Sequence, residues 1–371
     1  MNRSGTAKGV VFLILVWGAL CLWFLSSRTG VFRRAITLSR YSDDAELERL
    51  VLTKTQNDGD ECGYCKEPEN RTLVVMVDNR DIFNGKFRIN LTDHGEFTDG
   101  GANYISICAA LNRIYAETQG YCFRYVRPDI GQCPHSKYGE RTAHWCKILG
   151  IAEGLSQGFR RVLFLDSDAY VRGQNIELAD FIRTLGPEPW YDSVKGEFDP
   201  SPMQPSATRA GLVVARDWGK YKDKMTKKKI EKKLDPFKVN TGVMIFQVFP
   251  EEKKLQESMA WKILQEWWNV NSTNTYRVHP FEQDAFSKEV FPKGNIRGMV
   301  ARVPYQEWNN VWGGFIRHQT SIRSSQNHNL MSVFVERMTH LMLKGLMPKS
   351  CSKSSEHIMD TKAVAILLEK V

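Results

Sequence analysis

The fold class predicted by this sequence is α/β: a doubly wound, mainly parallel sheet covered by helices. Three observations predict it. Thr72–Asp78, Tyr121–Val126 and Arg161–Leu165 are short, β-rich runs; the first and third are apolar without polar alternation, as strands buried on both faces are. Between them, apolar residues recur at helical spacing. Strand and helix then alternate, and parallel strands need such crossovers.

Taken in order, the core opens at Thr72. Tyr104 to Thr118 spaces Ile105, Cys108, Leu111, Ile114 and Tyr115 along one helical face and is closed by Gly120. A second helix runs from Thr142 to Leu155 and ends before Gly158, feeding the Arg161 strand. Asn175 to Leu185 predicts a further helix, Ala210–Ala215 and Val239–Gln247 further strands, and Glu251–Trp268 a last long helix. Gly186 to Gly211 is rich in proline and glycine and reads as loop. The run Lys227-Lys-Lys-Ile-Glu-Lys-Lys233 reads as a solvated face, with a substrate-guiding patch as the alternative.

The strand at 161 ends in Asp166-Ser-Asp168. In open α/β sheets ligands bind beyond the carboxyl ends of the strands. Two carboxylates that close repel unless a cation lies with them, and hard cations take oxygen ligands. The bland alternative is an acidic loop cap; the strand before the pair and the helix after it favour a metal-assisted site.

The formal charge of +9 suggests a nucleic-acid partner until it is divided along the chain. Arg3, Lys8, Arg28, Arg33, Arg34 and Arg40 supply six charges in the first 40 residues with no acid among them, so the remainder is nearly balanced and no nucleic-acid surface is expected. Between those cations lies Val10–Ser27, uncharged and long enough to span a thin bilayer. Its exit lacks a small-x-small cleavage site, so it reads as an uncleaved anchor before a cleaved signal peptide. Asn70, Asn90 and Asn271 begin N-glycosylation sequons on the far side of it. Cys62, Cys65, Cys108, Cys122, Cys133 and Cys146 cluster as disulfides in an oxidising compartment would, although Cys62 and Cys65 also fit half a zinc site. The expectation is a single-pass type II membrane protein: tail 1–9, anchor 10–27, stem 28–70, catalytic domain 71–350 and a C-terminal tail or helix 351–371.

Four segments in sequence, HWCKILGIAEGLSQGFRRVLFLDSDAYVRGQNIELADFI (144–182), VNTGVMIFQ (239–247), EQDAF (282–286) and GGFIRHQTS (313–321), resemble in content and order the galactosyl-, mannosyl- and xylosyltransferases of glycosyltransferase family 34. The resemblance covers roughly residues 72–321. It implies a Rossmann-like GT-A fold in the Golgi membrane, a UDP- or GDP-sugar donor with Mn²⁺ or another divalent cation, and retaining transfer of a hexose or pentose. The acceptor would be a glycan or polysaccharide, and assembly with itself or with other glycosyltransferases is compatible. By the same resemblance, Asp168 and His318 are metal ligands. Asp166 helps hold the metal or the donor ribose, and Asn240 contacts the donor. His144 and Lys147 approach the nucleotide phosphates, while Gln283 and Asp284 lie by the reactive carbon as catalytic residues.

Without the resemblance these residues have ordinary roles. Glu282 and Asp284 complement a helix N-terminus, Asn240-Thr-Gly is an irregular strand start, and His318 is a loop residue. Two rivals share the Asp-x-Asp: a haloacid-dehalogenase-like phosphatase, for which Tyr170 stands where Thr or Val is expected, and an anchored glycan-binding scaffold without turnover.

Overall fold

The computed structural model describes residues 72–80, 103–130, 132–186, 204–217, 237–271, 281–304, 314–318 and 356–369, with 190–192, 197–199, 220–222, 229–231 and 308–309 as shorter pieces. The chain divides into Met1–Arg49 and Leu50–Val371, and every described residue belongs to the second unit. Anchor, stem, Asn70, Asn90, Cys62, Cys65 and Cys351 lie outside the described residues. The placement in a Golgi membrane is corrected: no helix among the described residues is long and apolar enough to cross a bilayer.

The strands are β1 Thr72–Val77, β2 Cys122–Pro128, β3 Arg161–Leu165, β4 Ala169–Val171, β5 Leu212–Arg216, β6 Val239–Gln247, β7 Val300–Val303, β8 Ile316–His318 and β9 Glu356–Met359. The helices are α1 Asn103–Gln119, α2 Cys146–Ser156, α3 Leu178–Thr184, α4 Met259–Trp268, α5 Phe281–Ala285 and α6 Thr361–Glu369. Seven strands form one sheet in the order β7-β5-β6-β3-β1-β2-β9. The sheet is mainly parallel, as expected. Only β6 is reversed, pairing antiparallel with both β3 and β5.

Side chains of the central strands alternate between two cores, which is why the sequence shows no polar alternation there. Leu73 and Val75 of β1, with Val162 and Phe164 of β3, face one core. Val74, Met76, Leu163 and Leu165 face the other. On the first face α2 lies very close to the sheet. A Cβ at Gly150 would stand 2.5 Å from Val77, and one at Gly154 2.7 Å from Leu73, so only glycine permits this contact. The approach fixes the start of α2, and Lys147 with it, at the carboxyl end of β1 and β3.

Three sequence boundaries move. The helix expected from Glu251 begins at Met259, because Ser258 caps it by accepting from Trp261 N and Glu252 turns back to accept from Phe249 N and Met259 N. Residues 351–371, set apart in the sequence as tail or helix, supply the edge strand β9 and the helix α6, whose Val364, Ala365 and Leu368 enter the first core. The cysteine cluster yields one disulfide among the described residues, Cys133–Cys146, which ties the preceding loop to the first residue of α2. Cys108 and Cys122 stand outside it and are buried; burial, and then the charge of Asp168, pushes the Cys108 thiol up.

Candidate functional site

The site forms where β3 ends. Asp166 follows the strand directly, and its N–H donates to Gly242 O at 2.8 Å, so β3 and the reversed β6 meet at this point. The pairing of β6 with β5 shifts register between Asn240 and Met244. In that irregularity Asn240 Oδ1 accepts from Gly242 N at 2.8 Å. The chain turns after Asp168 into β4, a strand of three residues that pairs antiparallel with β8 and sets His318 opposite Ala169. Two residues far apart in sequence are thereby brought together at Asp168.

His318 Nε2 lies 3.0 Å from Asp168 Oδ1 and 3.9 Å from Asp166 Oδ2. One ligand atom from each of Asp166, Asp168 and His318 falls within 4.8 Å of the others. The other side of the imidazole is fixed as well. Asn309 Nδ2 donates to Asn240 O at 3.1 Å, which turns Asn309 Oδ1 toward His318 Nδ1 at 2.6 Å. An amide oxygen only accepts, so Nδ1 carries the proton and Nε2 faces the two carboxylates. This is how a metal-ligating histidine is usually oriented. Two carboxylates and an imidazole suit a divalent cation of the Mn²⁺ kind, so the residues fit the group. Burial alone would lower the pKa of His318, but the carboxylate of Asp168 outweighs it and raises it; burial raises and His318 lowers that of Asp168, with the net direction down.

Gly242 belongs to this arrangement for steric reasons. A Cβ there would sit 2.1 Å from His318 Cε1. Asn309 takes a left-handed φ of 63°, a conformation asparagine tolerates better than most residues.

Around the triad is a cavity of about 940 Å³ lined on the β1 side by Asp78 and Arg80, and on the β6 side by Asn240, Thr241, Phe281, Glu282 and Gln283. Arg80 donates to both oxygens of Asp78 and, at 2.8 Å, to Ser167 Oγ. Lys147 is buried between two acids, with Nζ 2.9 Å from Asp166 Oδ1 and 2.8 Å from Glu282 Oε1. Burial disfavours its charge, yet Asp166 and then Glu282 overcome that and hold its pKa above the usual lysine value. Thr241 reaches α5 twice: its N–H donates to Gln283 Oε1 at 3.1 Å and its hydroxyl to Glu282 Oε1 at 3.2 Å. At the start of α5, Phe281 has φ 42°, an outlier for a bulky residue, and stacks on the exposed His144 with ring centroids 4.4 Å apart.

Of the residues singled out in sequence, Asp166, Asp168 and His318 come together, and Asn240, Lys147, His144 and Gln283 line the same cavity. Lys147 and His144, expected side by side at phosphates, part company: one is locked between acids and the other packs on Phe281. Asp284 is not among the cavity-lining residues, and its Oδ2 pairs with Lys288 Nζ at 2.6 Å. Asn271 is exposed just past α4. Glu282, Asn309, Thr241 and Arg80 were missed as site residues. For Glu282 the signal was available, since it adjoins Gln283; for Asn309 and Arg80 only the fold reveals it.

The lining holds five carboxylates, Asp78, Asp166, Asp168, Asp217 and Glu282, against three permanent cations, Arg80, Lys147 and Lys238. Each of those cations already has an acid beside it, Lys238 pairing with Asp217 at 2.9 Å. Among the described residues of the lining, the carboxylates thus outnumber the cations, and no cation there is without an acid beside it.

No family model matches the chain, and no curated protein matches its sequence. Among solved structures it is similar to a glycosyltransferase involved in the glycosylation of the major capsid of PBCV-1, with 16% identity, 70% of this chain and 99% of that chain covered, and a TM-score of 0.41. It is also similar to the glycosyltransferase GlyE of Streptococcus pneumoniae TIGR4, with 12% identity, 77% and 66% coverage and a TM-score of 0.36.

Proposed function

We propose that this protein is a metal-dependent glycosyltransferase of GT-A architecture that takes a nucleotide sugar, binding its diphosphate beside Asp166 and Asp168, and passes a hexose or pentose to a glycan or polysaccharide acceptor. The observation that carries the proposal is the Asp166, Asp168, His318 cluster at the end of β3, set in a cavity whose own charge is acidic. A phosphate-bearing substrate is repelled by such a lining unless it enters with a divalent cation, and a nucleotide diphosphate is the ligand that commonly does so. Order and content of the four sequence segments add membership of family 34, with Mn²⁺ as the metal and retention as the outcome.

Asp168 and His318 would hold the cation, with Asp166 contributing its second oxygen. When bound, a divalent cation neutralises the charge that grows on the diphosphate as the bond to the sugar breaks. The protein's own part is preorganisation. Asn309 fixes the imidazole, Gly242 leaves room for it, and Lys147 holds Asp166 against Glu282, so these groups need not reorganise during transfer. Arg80 and Asp78, at the opposite flank of the cavity, supply polar atoms for the nucleoside.

The test is release of UDP or GDP from a panel of nucleotide sugars, with and without Mn²⁺, by the wild type and by Asp166→Ala and Asp168→Ala. Mn²⁺-dependent release that falls about a hundredfold or more in either variant is expected. The proposal fails if no donor is turned over and the variants bind nucleotide sugars as the wild type does.

A further inference from the structure

Phe281 and His144 are the aromatic rings of the described cavity lining besides the buried His318. We infer that this stacked pair is the platform on which a sugar ring of the glycan acceptor lies, so that His144 serves the acceptor and not the nucleotide phosphates; the inference rests on the glycosyltransferase proposal. The residues that follow Phe281 are pinned. The Glu282 side chain accepts from Lys147 Nζ and Thr241 Oγ1, its carbonyl accepts from Trp267 Nε1, and Gln283 Oε1 accepts from Thr241 N. With α5 held at those points, the backbone enters it through the left-handed φ of 42° at Phe281, and the phenyl ring meets His144 with centroids 4.4 Å apart and planes inclined at 24°. A bulky residue takes that conformation at a cost, and such outliers cluster where ligands are held. Core packing does not demand it, since His144 is exposed and Phe281 half-buried.

The kind of ligand follows from chemistry and position. Aromatic faces carry negative charge density, so they stack on a nucleobase or on the C–H face of a pyranose. The nucleobase is accounted for elsewhere. In the sheet order, β1 with Asp78, Asn79 and Arg80 flanks β3 on one side. On the other side lie β6 and then β5, and the cavity follows them as far as Asp217 and Lys238, whose side chains pair at 2.9 Å. Thr241 of β6 holds α5, so Phe281 and the ring stacked on it belong to this second side. Asn79 on the first side and His144 on the second are the exposed residues of the described lining. With the nucleoside by Asn79 and the diphosphate at Asp166 and Asp168, the rim at His144 is the way in for the acceptor. Beyond it, Asp217 accepts and Lys238 donates where the hydroxyls of that glycan would lie.

The experiment uses the full chain with Mn²⁺ in two measurements: retention on an array of immobilised glycans with UDP or GDP present, and calorimetric affinity for UDP- and GDP-sugars. His144 is exposed, so its substitution leaves the core intact. His144→Ala is expected to weaken retention of the preferred glycan about tenfold, with affinity for the nucleotide sugar unchanged. His144→Phe keeps a ring and should retain the glycan within about threefold of the wild type, which separates stacking from proton transfer or hydrogen bonding by the imidazole. Unchanged retention in His144→Ala, or an equal loss in His144→Phe, overturns the inference while the glycosyltransferase proposal stands. So does a matching loss of nucleotide-sugar affinity in His144→Ala, since the ring would then serve the donor. Wild-type protein that binds nucleotide sugars but retains no glycan overturns the inference alone. Wild-type protein that binds no nucleotide with Mn²⁺ overturns both.

Discussion

Two polar networks border the first core, and they are completed in opposite ways. One seats the C-terminal helix. Asp129 Oδ1 accepts from Thr361 N and Oγ1 at 3.2 and 2.6 Å, Glu369 accepts from Ser136 and from Trp268 Nε1, and Asn269 Nδ2 donates to Leu368 O at 3.0 Å. Buried Arg141 caps the end of α4 by donating to Trp268 O and Val270 O while it stacks on Trp145 and Trp268. The other network is the cavity, with more acids than cations and an oxygen of Glu282 left without a donor. In the first, each acid is met by donors of the described residues and the network serves stability; in the second, the carboxylates of the described lining outnumber its cations. The disulfide Cys133–Cys146 joins them, since its second cysteine adjoins Lys147 and its first lies two residues from His135, beneath α6.

The contrast can be broken most strongly on the cavity side. Gly242→Ala would place a methyl group on the His318 ring and force it away from Asp168; Mn²⁺-dependent nucleotide release should drop about a hundredfold, with circular dichroism unchanged. Activity within a few-fold of wild type would show that the ring need not pack there. On the closed side, Leu368→Ala removes a fully buried side chain of α6 from the first core, and should cost about 2–5 kcal/mol in denaturant unfolding without altering donor affinity.

In the closed network acid should act on His135 and Glu369 in the same sense. Burial holds the pKa of His135 below its usual 6.5; burial raises that of Glu369, but bonds from Ser136 and Trp268 and the charge of His135 bring it below its usual 4.5. Both groups therefore take up protons more readily unfolded than folded, and stability rises with pH. It is fully present above about 6.5 and declines as pH falls through 6.5 and then 4.5. Melting midpoints followed from pH 7.5 to 4 should fall by several degrees, and Glu369→Gln should remove the lower part of that slope; an unaltered slope would relieve Glu369 of this role. Least of all should come from Lys288→Ala, whose exposed pair with Asp284 stands apart from both networks: less than about 0.5 kcal/mol and no kinetic change, to be checked by the same two assays.

What the sequence disclosed follows the range of its physics. Strands buried on both faces and amphipathic helices declare themselves locally, so β1, β3, α1 and α2 were visible. Asp166 and Asp168 were visible because they close such a strand, and His318 because of the order of short segments around it. The reversal of β6 was not visible, since a fully buried strand reads the same in either direction. Edge strand β9 hid in a polar segment that β2 completes. Asp284 and Glu282 show the limit most plainly: two acids two residues apart in one short helix face different surroundings, and only the helix's rotation against Thr241 and Trp267 decides which one the cavity receives.

The three-residue pairing of β4 with β8 has a consequence for how the protein comes into being. A nascent chain released as far as residue 310 holds six of the seven strands of the main sheet, together with both aspartates, yet lacks the imidazole. The cluster is thus completed only after six strands of the main sheet have been made. The Asp166, Asp168, His318 cluster therefore depends on a pairing of only three residues between segments nearly 150 residues apart in sequence.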